Sequence, residues 1–247
     1  MMLMRMIRVK FEASIACNPQ VPVAKQGLMT LEITSVTALL AQWSAPRVRA
    51  LFAQVPRQAA QWASVLAREG LPEAQLCYGR MLLVGTGVSK DEAAALGWFR
   101  RAARSGHLDA INMVGRCLDN GWGAAEDPVA AAEHYLRAAT AGHAWAQYNL
   151  GHLYLDGRGV PREVNQAYTC YRRAADQRHE RAMNLVGRCC EEGWGTARDP
   201  AAAAMWYQRS AEAGYFRGQY NWASVLRCPT RGDSGVHVVP PCGRAGA

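Results

Sequence analysis

Apolar and polar positions in the middle of the chain follow the period of an α-helix. Ala110, Val114 and Leu118 lie four residues apart and form one apolar stripe. Further on, Asp127 followed by Pro128 is typical of a helix start, and Gly142 is typical of a helix end. The pattern predicts a pair of antiparallel helices, helix A over about 110–120 and helix B from 128 to about 142.

These landmarks return every 36 residues. A glycine inside helix A costs roughly 1 kcal/mol relative to alanine, so its recurrence predicts close approach by a neighbouring helix. The glycines in register are Gly79, Gly115, Gly151 and Gly187 within helix A, and Gly85, Gly121, Gly157, Gly193, Gly87, Gly123, Gly159 and Gly195 after it. Such a period predicts an all-α fold, an α/α solenoid of stacked helix-turn-helix repeats.

The repeat register also divides the chain into segments. Residues 1–28 and 228–247 fit neither the register nor an apolar stripe, and both are expected to be disordered. Residues 29–73 are interpreted as an N-terminal helical cap with a partial repeat. Residues 74–227 hold four full units and a fifth helix A with no helix B after it. The C-terminal end of the array is therefore expected to be uncapped, which implies packing by the tail, self-association or a truncated reading frame.

One motif within the third unit points to a known family. Its landmarks are Ala146, Leu150, Gly151, Tyr154, Gly157, Gly159 and Val160. The pattern resembles the Sel-one-like repeat family, a relative of the tetratricopeptide repeats, over residues 74–227. This resemblance implies a tetratricopeptide-like superhelix that acts as a scaffold for protein complexes. Members occur in bacterial signalling, in secretion and in eukaryotic protein degradation.

The net charge of +8 raises the question of an anionic partner. Residues 74–214 carry sixteen basic and fifteen acidic side chains, so the excess lies in the flanks. A nucleic-acid partner is therefore not expected, and weak nucleic-acid binding is kept only as an alternative. No stretch approaches the ~18 apolar residues that a membrane span needs, so no membrane partner is expected either.

Catalytic chemistry is not indicated, because the recurrent His, Cys and acidic residues follow the repeat period. His107, His143 and His179 recur just after helix B, too far apart to share a metal, and are interpreted as cationic or hydrogen-bonding C-caps of that helix. We therefore expect no metal, no cofactor and no enzyme activity. The eight cysteines lack metal-binding or CxxC spacing and indicate reduced packing residues in a cytoplasmic protein.

The resemblance leaves a second interpretation open. Some relatives are secreted, and some are reported to hydrolyse β-lactams, so a secreted or periplasmic protein with a β-lactam-hydrolysing or host-interaction role is the alternative. A side-chain cluster that breaks the repeat pattern would be needed for catalysis. The favoured function remains a non-enzymatic scaffold or adaptor that binds a peptide segment or a protein of unknown identity.

The polar face of helix A is the predicted binding groove. Its side chains are long, form hydrogen bonds and differ from unit to unit, as a sequence-selective surface requires. A merely solvated face is the competing interpretation, since Glu191 and Glu192 could neutralise Arg188. The predicted groove residues are Arg80, Asn112, Arg116, Tyr148, His152, Asn184, Arg188 and Tyr220.

Two tryptophans form a second candidate site. Trp122 and Trp194 each lie between two glycines in the connection after helix A. They either project from one edge of the solenoid as aromatic anchors for a partner or fold back over their own hairpins.

Overall fold

The computed structural model describes residues 55–227, which form ten α-helices. The first is helix B of a partial repeat; the even-numbered helices after it are helices A, and the odd-numbered ones are helices B. The helices are α1 (Pro56–Arg68), α2 (Pro72–Val84), α3 (Glu92–Arg104), α4 (Leu108–Asn120), α5 (Pro128–Thr140), α6 (Ala144–Asp156), α7 (Val164–Asp176), α8 (Glu180–Glu192), α9 (Pro200–Glu212) and α10 (Phe216–Arg227).

The helix boundaries follow local sequence signals. Helix α4 ends at Gly121, which adopts a left-handed φ of 70°, and the Trp122 N–H donates to the Cys117 carbonyl at 2.8 Å. Helix α5 begins after Asp127, whose Oδ1 accepts from the Ala130 N–H at 2.9 Å. The Asp-Pro helix starts predicted from the sequence are therefore confirmed.

The glycine inside helix A allows close packing. A Cβ built on Gly115 would lie 2.8 Å from the ring of Tyr135 on helix α5, which is closer than two carbon atoms can pack. Gly187 faces Tyr207 in the same way. The predicted close approach is confirmed, and the approaching group is an aromatic side chain of helix B.

The core combines buried alanines and aliphatic side chains with one fully buried aromatic ring per repeat. The alanines at 102, 138 and 174 are fully buried, and so are the rings of Phe99, Tyr135, Tyr171 and Tyr207. Because alanine has only a methyl group, the helices approach closely and the large rings fill the remaining space.

Neighbouring repeats pack helix against helix along the array. Each helix contacts the next one in the chain, and helices A of successive repeats are also linked directly. The Asn149 side chain donates to Asn112 Oδ1 at 3.0 Å, and Asn221 donates to Asn184 Oδ1 at 2.8 Å. The all-α solenoid predicted from the 36-residue period is thus confirmed within residues 55–227.

One residue departs from the pattern of the connections between repeats. Arg178 stands where three other repeats have glycine, and its φ is 63°, in the left-handed region.

Across residues 55–227, none of the helices combines the length and the apolarity that crossing a bilayer would take. The predictions for residues 1–28 and 228–247, and most of the predicted N-terminal cap, lie outside the described residues.

Candidate functional site

The predicted groove residues all lie on the even-numbered helices α2, α4, α6, α8 and α10. We call the surface formed by these eight side chains the helix-A surface; its members are Arg80, Asn112, Arg116, Tyr148, His152, Asn184, Arg188 and Tyr220. The structure distinguishes five kinds of member: buried asparagines that link repeats, an arginine paired with a carboxylate, two arginines held over aromatic rings, two members of an aromatic cluster, and one exposed tyrosine.

Asn112 and Asn184 are not open groove residues. Their exposed fractions are only 5% and 4%, and each accepts the hydrogen bond from the helix A of the following repeat. An amide buried this deeply is stabilised by its partner and is not free to contact a ligand. The prediction placed both on an exposed polar face; the next repeat covers them, and their role is to join repeats.

Arg80 belongs to a charged chain that also links repeats. Its guanidinium lies 3.7 Å from Asp109 on the following helix A, and His143 Nε2 lies 3.1 Å from the same carboxylate. The hydrogen bond from His143 holds the pKa of Asp109 below its ordinary value. The charge of Arg80 is therefore partly compensated by Asp109 within the protein.

Two of the three recurrent histidines cap the start of helix A with their side chains, whereas His107 makes no side-chain cap hydrogen bond. His143 Nδ1 accepts from the Ala146 N–H at 3.2 Å, and His179 Nδ1 accepts from the Ala182 N–H at the same distance. The interpretation as C-caps of helix B was wrong for these two side chains, because the connection is so short that the residue after helix B is also the N-cap of the next helix.

Two arginines on the helix-A surface are stacked on the two loop tryptophans. The guanidinium carbon of Arg116 lies 5.2 Å from the Trp122 ring centre, and Arg188 lies at the same distance from Trp194. Both indoles are partly buried and pack against the core, so they fold back over their own hairpins. The groove and the loop edge, treated separately in the sequence, are one surface.

The acidic neighbours of Arg188 do not neutralise it. Glu191 Oε2 accepts the hydrogen bond from the Tyr207 hydroxyl at 2.6 Å. Among residues 55–227, no ion pair joins Arg188 to Glu191 or Glu192. Arg188 is exposed and keeps its hydrogen-bond donors available to a partner.

Tyr148 and His152 lie in a group of rings that we call the third-repeat cluster; its members are Trp145, Tyr148, His152, Tyr171 and His179. Tyr148 stacks on His179 at a centroid distance of 5.0 Å and contacts His152 edge-on at 4.6 Å. Burial lowers the pKa of both histidines, which favours the neutral rings. Two of the five members, Tyr148 and His152, were predicted groove residues, and His179 was predicted only as a helix cap.

The missed members carried a signal in the repeat alignment. Trp145 occupies the position of Asp109 in the preceding repeat, 36 residues earlier, so an aromatic ring replaces an acid there. A break in the repeat pattern at a surface position marks a local change of role.

Tyr220, the last predicted groove residue, is 72% exposed on helix α10.

The described residues contain no group of three His, Cys, Asp or Glu side chains that could hold a metal ion. The five cysteines in this region are unpaired and buried: Cys77, Cys117, Cys170, Cys189 and Cys190. Burial raises the pKa of the Cys77 and Cys189 thiols to about 12, which disfavours the reactive thiolate. These thiols are packing residues, as the sequence predicted.

The geometry defines a class of protein, the α/α helical repeat proteins. The chain belongs to the Sel1 repeat family, whose model matches residues 72–107, 108–143, 146–179 and 180–215, more than half of the chain. The family resemblance seen in the sequence is confirmed. No curated protein matches the chain.

Solved structures show the same fold. A protective antigen of uropathogenic Escherichia coli strains that displays an SLR fold is 27% identical, with a TM-score of 0.66 over 81% of this chain and 43% of that one. A Sel1 repeat protein from Oxalobacter formigenes is 30% identical, with a TM-score of 0.61 over 69% and 49%. This chain thus matches less than half the length of either.

A Sel1 repeat protein from Klebsiella pneumoniae is similar in fold alone. Its sequence identity is 18% and its TM-score is 0.52, over 82% of this chain and 97% of that one.

Proposed function

We propose that the chain is a non-enzymatic interaction scaffold that binds a peptide segment of a protein partner on the helix-A surface, through its members other than the buried Asn112 and Asn184. The observation that carries this proposal is the pair of arginine–tryptophan stacks, Arg116 on Trp122 and Arg188 on Trp194. An aromatic ring under the guanidinium orients it and leaves its edge donors free for carbonyl or carboxylate groups. The two stacks are 72 residues apart in sequence, so they present the same feature twice along the array.

The remaining contacts of these arginines support a ligand-binding role. The described contacts of the Arg116 guanidinium are the Trp122 ring and the weak acceptor Met113 Sδ, at 3.6 Å. A guanidinium has five N–H donors, so most of its capacity is unused. Ordering a flexible arginine side chain before binding lowers the entropy cost of association.

The test compares two matched pairs of stacked arginines. Affinity capture followed by mass spectrometry identifies the partner, and its affinity is then measured by titration calorimetry. Arg116→Ala with Arg188→Ala should weaken binding by roughly 1.5–3 kcal/mol for each charge-assisted hydrogen bond that is lost. The control, Arg101→Ala with Arg209→Ala, removes arginines stacked on Trp98 and Trp206 of helices B and should leave the affinity unchanged.

Two outcomes separate the alternatives. Equal affinity of the Arg116/Arg188 double variant and the parent would refute the helix-A surface as the binding site. Loss of binding in the Arg101/Arg209 variant alone would place the partner on the helices B.

We further infer a reducing compartment such as the cytoplasm for this scaffold. Five buried, unpaired thiols in residues 55–227 support this location, because oxidising compartments favour disulfides. Fractionation of cells that express the full-length protein tests the inference; recovery in a secreted or periplasmic fraction would contradict it and favour the alternative of a secreted protein.

A further inference from the structure

A cavity lies between the C-terminal ends of helices α7 and α9, and we call it the α7–α9 cavity. Its volume is about 560 Å³, which is within the range of small-molecule binding sites. Its inner wall is apolar and consists of the buried side chains of Ala175, Met183 and Trp206. No residue that lines it belongs to the helix-A surface, so the cavity is a separate feature of the molecule.

The cavity occupies a place that hydrogen-bonded side chains take up one repeat earlier. There, Gln177 Nε2 donates to Gln147 Oε1 at 2.8 Å, and Gln147 Nε2 donates to the Ala139 carbonyl at 3.1 Å. The residues 36 positions further on are Met183 and Ala213, which cannot form these hydrogen bonds. Because Ala213 is also much shorter than glutamine, the fourth repeat leaves open the space that the glutamine pair occupies in the third.

The lining of the cavity occurs once among the four repeats. The second repeat also has an apolar pair at these two positions, Ile111 and Ala141. However, His134 stands there in place of Trp206, and Gly106 stands in place of Arg178. An apolar pair, an indole and an arginine are therefore combined only at the α7–α9 cavity.

Arg178 lies at the rim of the cavity and is held in an unfavourable backbone conformation. Its φ of 63° is in the left-handed region, where the equivalent residues of the other repeats are glycines. Such strain is often found at binding sites, where a side chain in a particular place matters more than local stability. The side chain of Arg178 is exposed and forms no ion pair with a carboxylate of residues 55–227.

A second arginine of the rim is held in place by the wall. The guanidinium carbon of Arg209 lies 4.9 Å from the centre of the Trp206 ring, and both residues line the cavity. Like Arg178, Arg209 makes no ion pair within the described part of the chain. Two uncompensated guanidinium groups therefore border one apolar wall.

The two acidic residues of the rim already have partners. Asp176 Oδ1 accepts from Arg172 Nε at 3.1 Å, and Glu212 Oε1 accepts from Gln208 Nε2 at 2.9 Å. The charge that remains available to a ligand at the rim is therefore positive.

We propose that the α7–α9 cavity binds an amphipathic carboxylate. The apolar part of the ligand packs against Met183 and Trp206, and its carboxylate pairs with Arg178 while Arg209 adds positive charge at the same rim. Two sources share this chemistry, the C-terminal end of a peptide with apolar side chains and a medium-chain fatty acid. The site goes beyond the proposed function, since its ligand is not the partner of the helix-A surface.

Titration calorimetry with the full-length protein tests the proposal with four probes. They are N-acetyl-Leu-Leu with a free carboxylate, the same dipeptide as its amide, decanoate and decanamide. We expect at least one of the two carboxylates to bind and its uncharged amide to bind at least roughly tenfold more weakly. The carboxylate that binds identifies the source. If neither carboxylate binds, or if each amide binds as well as its acid, the proposal is overturned.

Two variants connect binding to the cavity. Arg178→Gly removes the pairing charge and installs the residue that the other repeats have, so the fold is retained; the Kd should rise roughly 10- to 100-fold. Met183→Gln with Ala213→Gln introduces the glutamine pair of the preceding repeat and should raise the Kd at least tenfold by filling the cavity. Arg104→Ala is the matched control, because it removes an exposed arginine from the end of another helix B and should leave the Kd unchanged.

The remaining outcomes separate a binding site from a merely structural role. Arginines near the end of a helix also stabilise its dipole, and a role of that kind alone predicts the same Kd in Arg178→Gly as in the parent. Circular dichroism checks that each variant is folded, and Arg178→Gly decides alone if the glutamine pair prevents folding. An unchanged Kd in Arg178→Gly, or an equal rise in Arg104→Ala, would overturn the site. The Arg116/Arg188 double variant should bind the probe like the parent, so the two proposals can fail separately.

Discussion

Substituting phenylalanine for the buried tyrosines, one repeat at a time, should change the free energy of unfolding by different amounts, with the largest loss at Tyr207, a small loss at Tyr135 and no loss at Tyr171. In Tyr207→Phe the hydroxyl that donates to Glu191 at 2.6 Å is lost. A hydrogen bond to a charged group contributes about 1.5–3 kcal/mol. Glu191 is half-buried and becomes partly hydrated in the variant, so we expect a loss near the lower limit.

The same substitution at the other two tyrosines should have smaller effects. Tyr135 lies 3.4 Å from Asp119, a long contact, so Tyr135→Phe should cost only about 0.5 kcal/mol. Tyr171 has no partner within the described residues, and its hydroxyl is buried. Tyr171→Phe removes a desolvated group that gains nothing in return, so the free energy of unfolding should stay equal or rise by up to about 1 kcal/mol.

Urea unfolding followed by circular dichroism and by tryptophan fluorescence measures these differences. The two signals must give the same transition, because repeat arrays can unfold in stages. Thermal midpoints should change by roughly 2–4 °C per kcal/mol for a chain of this length. If Tyr171→Phe destabilises the protein as much as Tyr207→Phe, the Tyr171 hydroxyl has an acceptor and the reasoning about the third repeat fails.

Three other measurements follow from the structure. Arg178→Gly should stabilise the protein by roughly 0.5–1 kcal/mol in urea unfolding, because glycine relieves the left-handed φ of 63°, whereas Gly142→Ala at the equivalent position should destabilise it. The free energy of unfolding should fall as the pH drops below about 6.5, because burial lowers the folded-state pKa of His152 and His179 and the unfolded chain therefore binds protons more readily. In His179→Asn the free energy of unfolding should depend less steeply on pH. Gly115→Ala should lower the melting temperature by several degrees, since its methyl group would collide with a buried tyrosine ring.

The sequence predicted the repeat, the helix starts and the tight glycine packing because each depends on residues close together in the chain. Asp127 caps a helix three residues away, and Gly115 faces a tyrosine only twenty residues further on. These local relations recur in every repeat and are visible as a period.

The site was harder to predict because burial on its surface depends on the next repeat. A helical projection correctly places Asn112 on the polar side of α4, yet it cannot show that Asn149 of the following helix A covers it. Likewise, the position of His179 after helix B indicated a C-cap, whereas the side chain caps the helix that follows. Comparing equivalent positions of neighbouring repeats would have detected the missing acceptor of Tyr171.

The exception at Arg178 shows how the duplicated units could drift apart. A methyl group added at Gly106, Gly142 or Gly214 would meet nothing within 4 Å, so replacing glycine there costs only backbone strain. At Gly123 the same methyl group would collide with the Glu92 backbone of the preceding repeat. One position has accepted a substitution in a single copy, and the other is glycine in all four. Comparing the four repeats therefore distinguishes a position where glycine is favoured only for its backbone conformation from a position where no side chain fits.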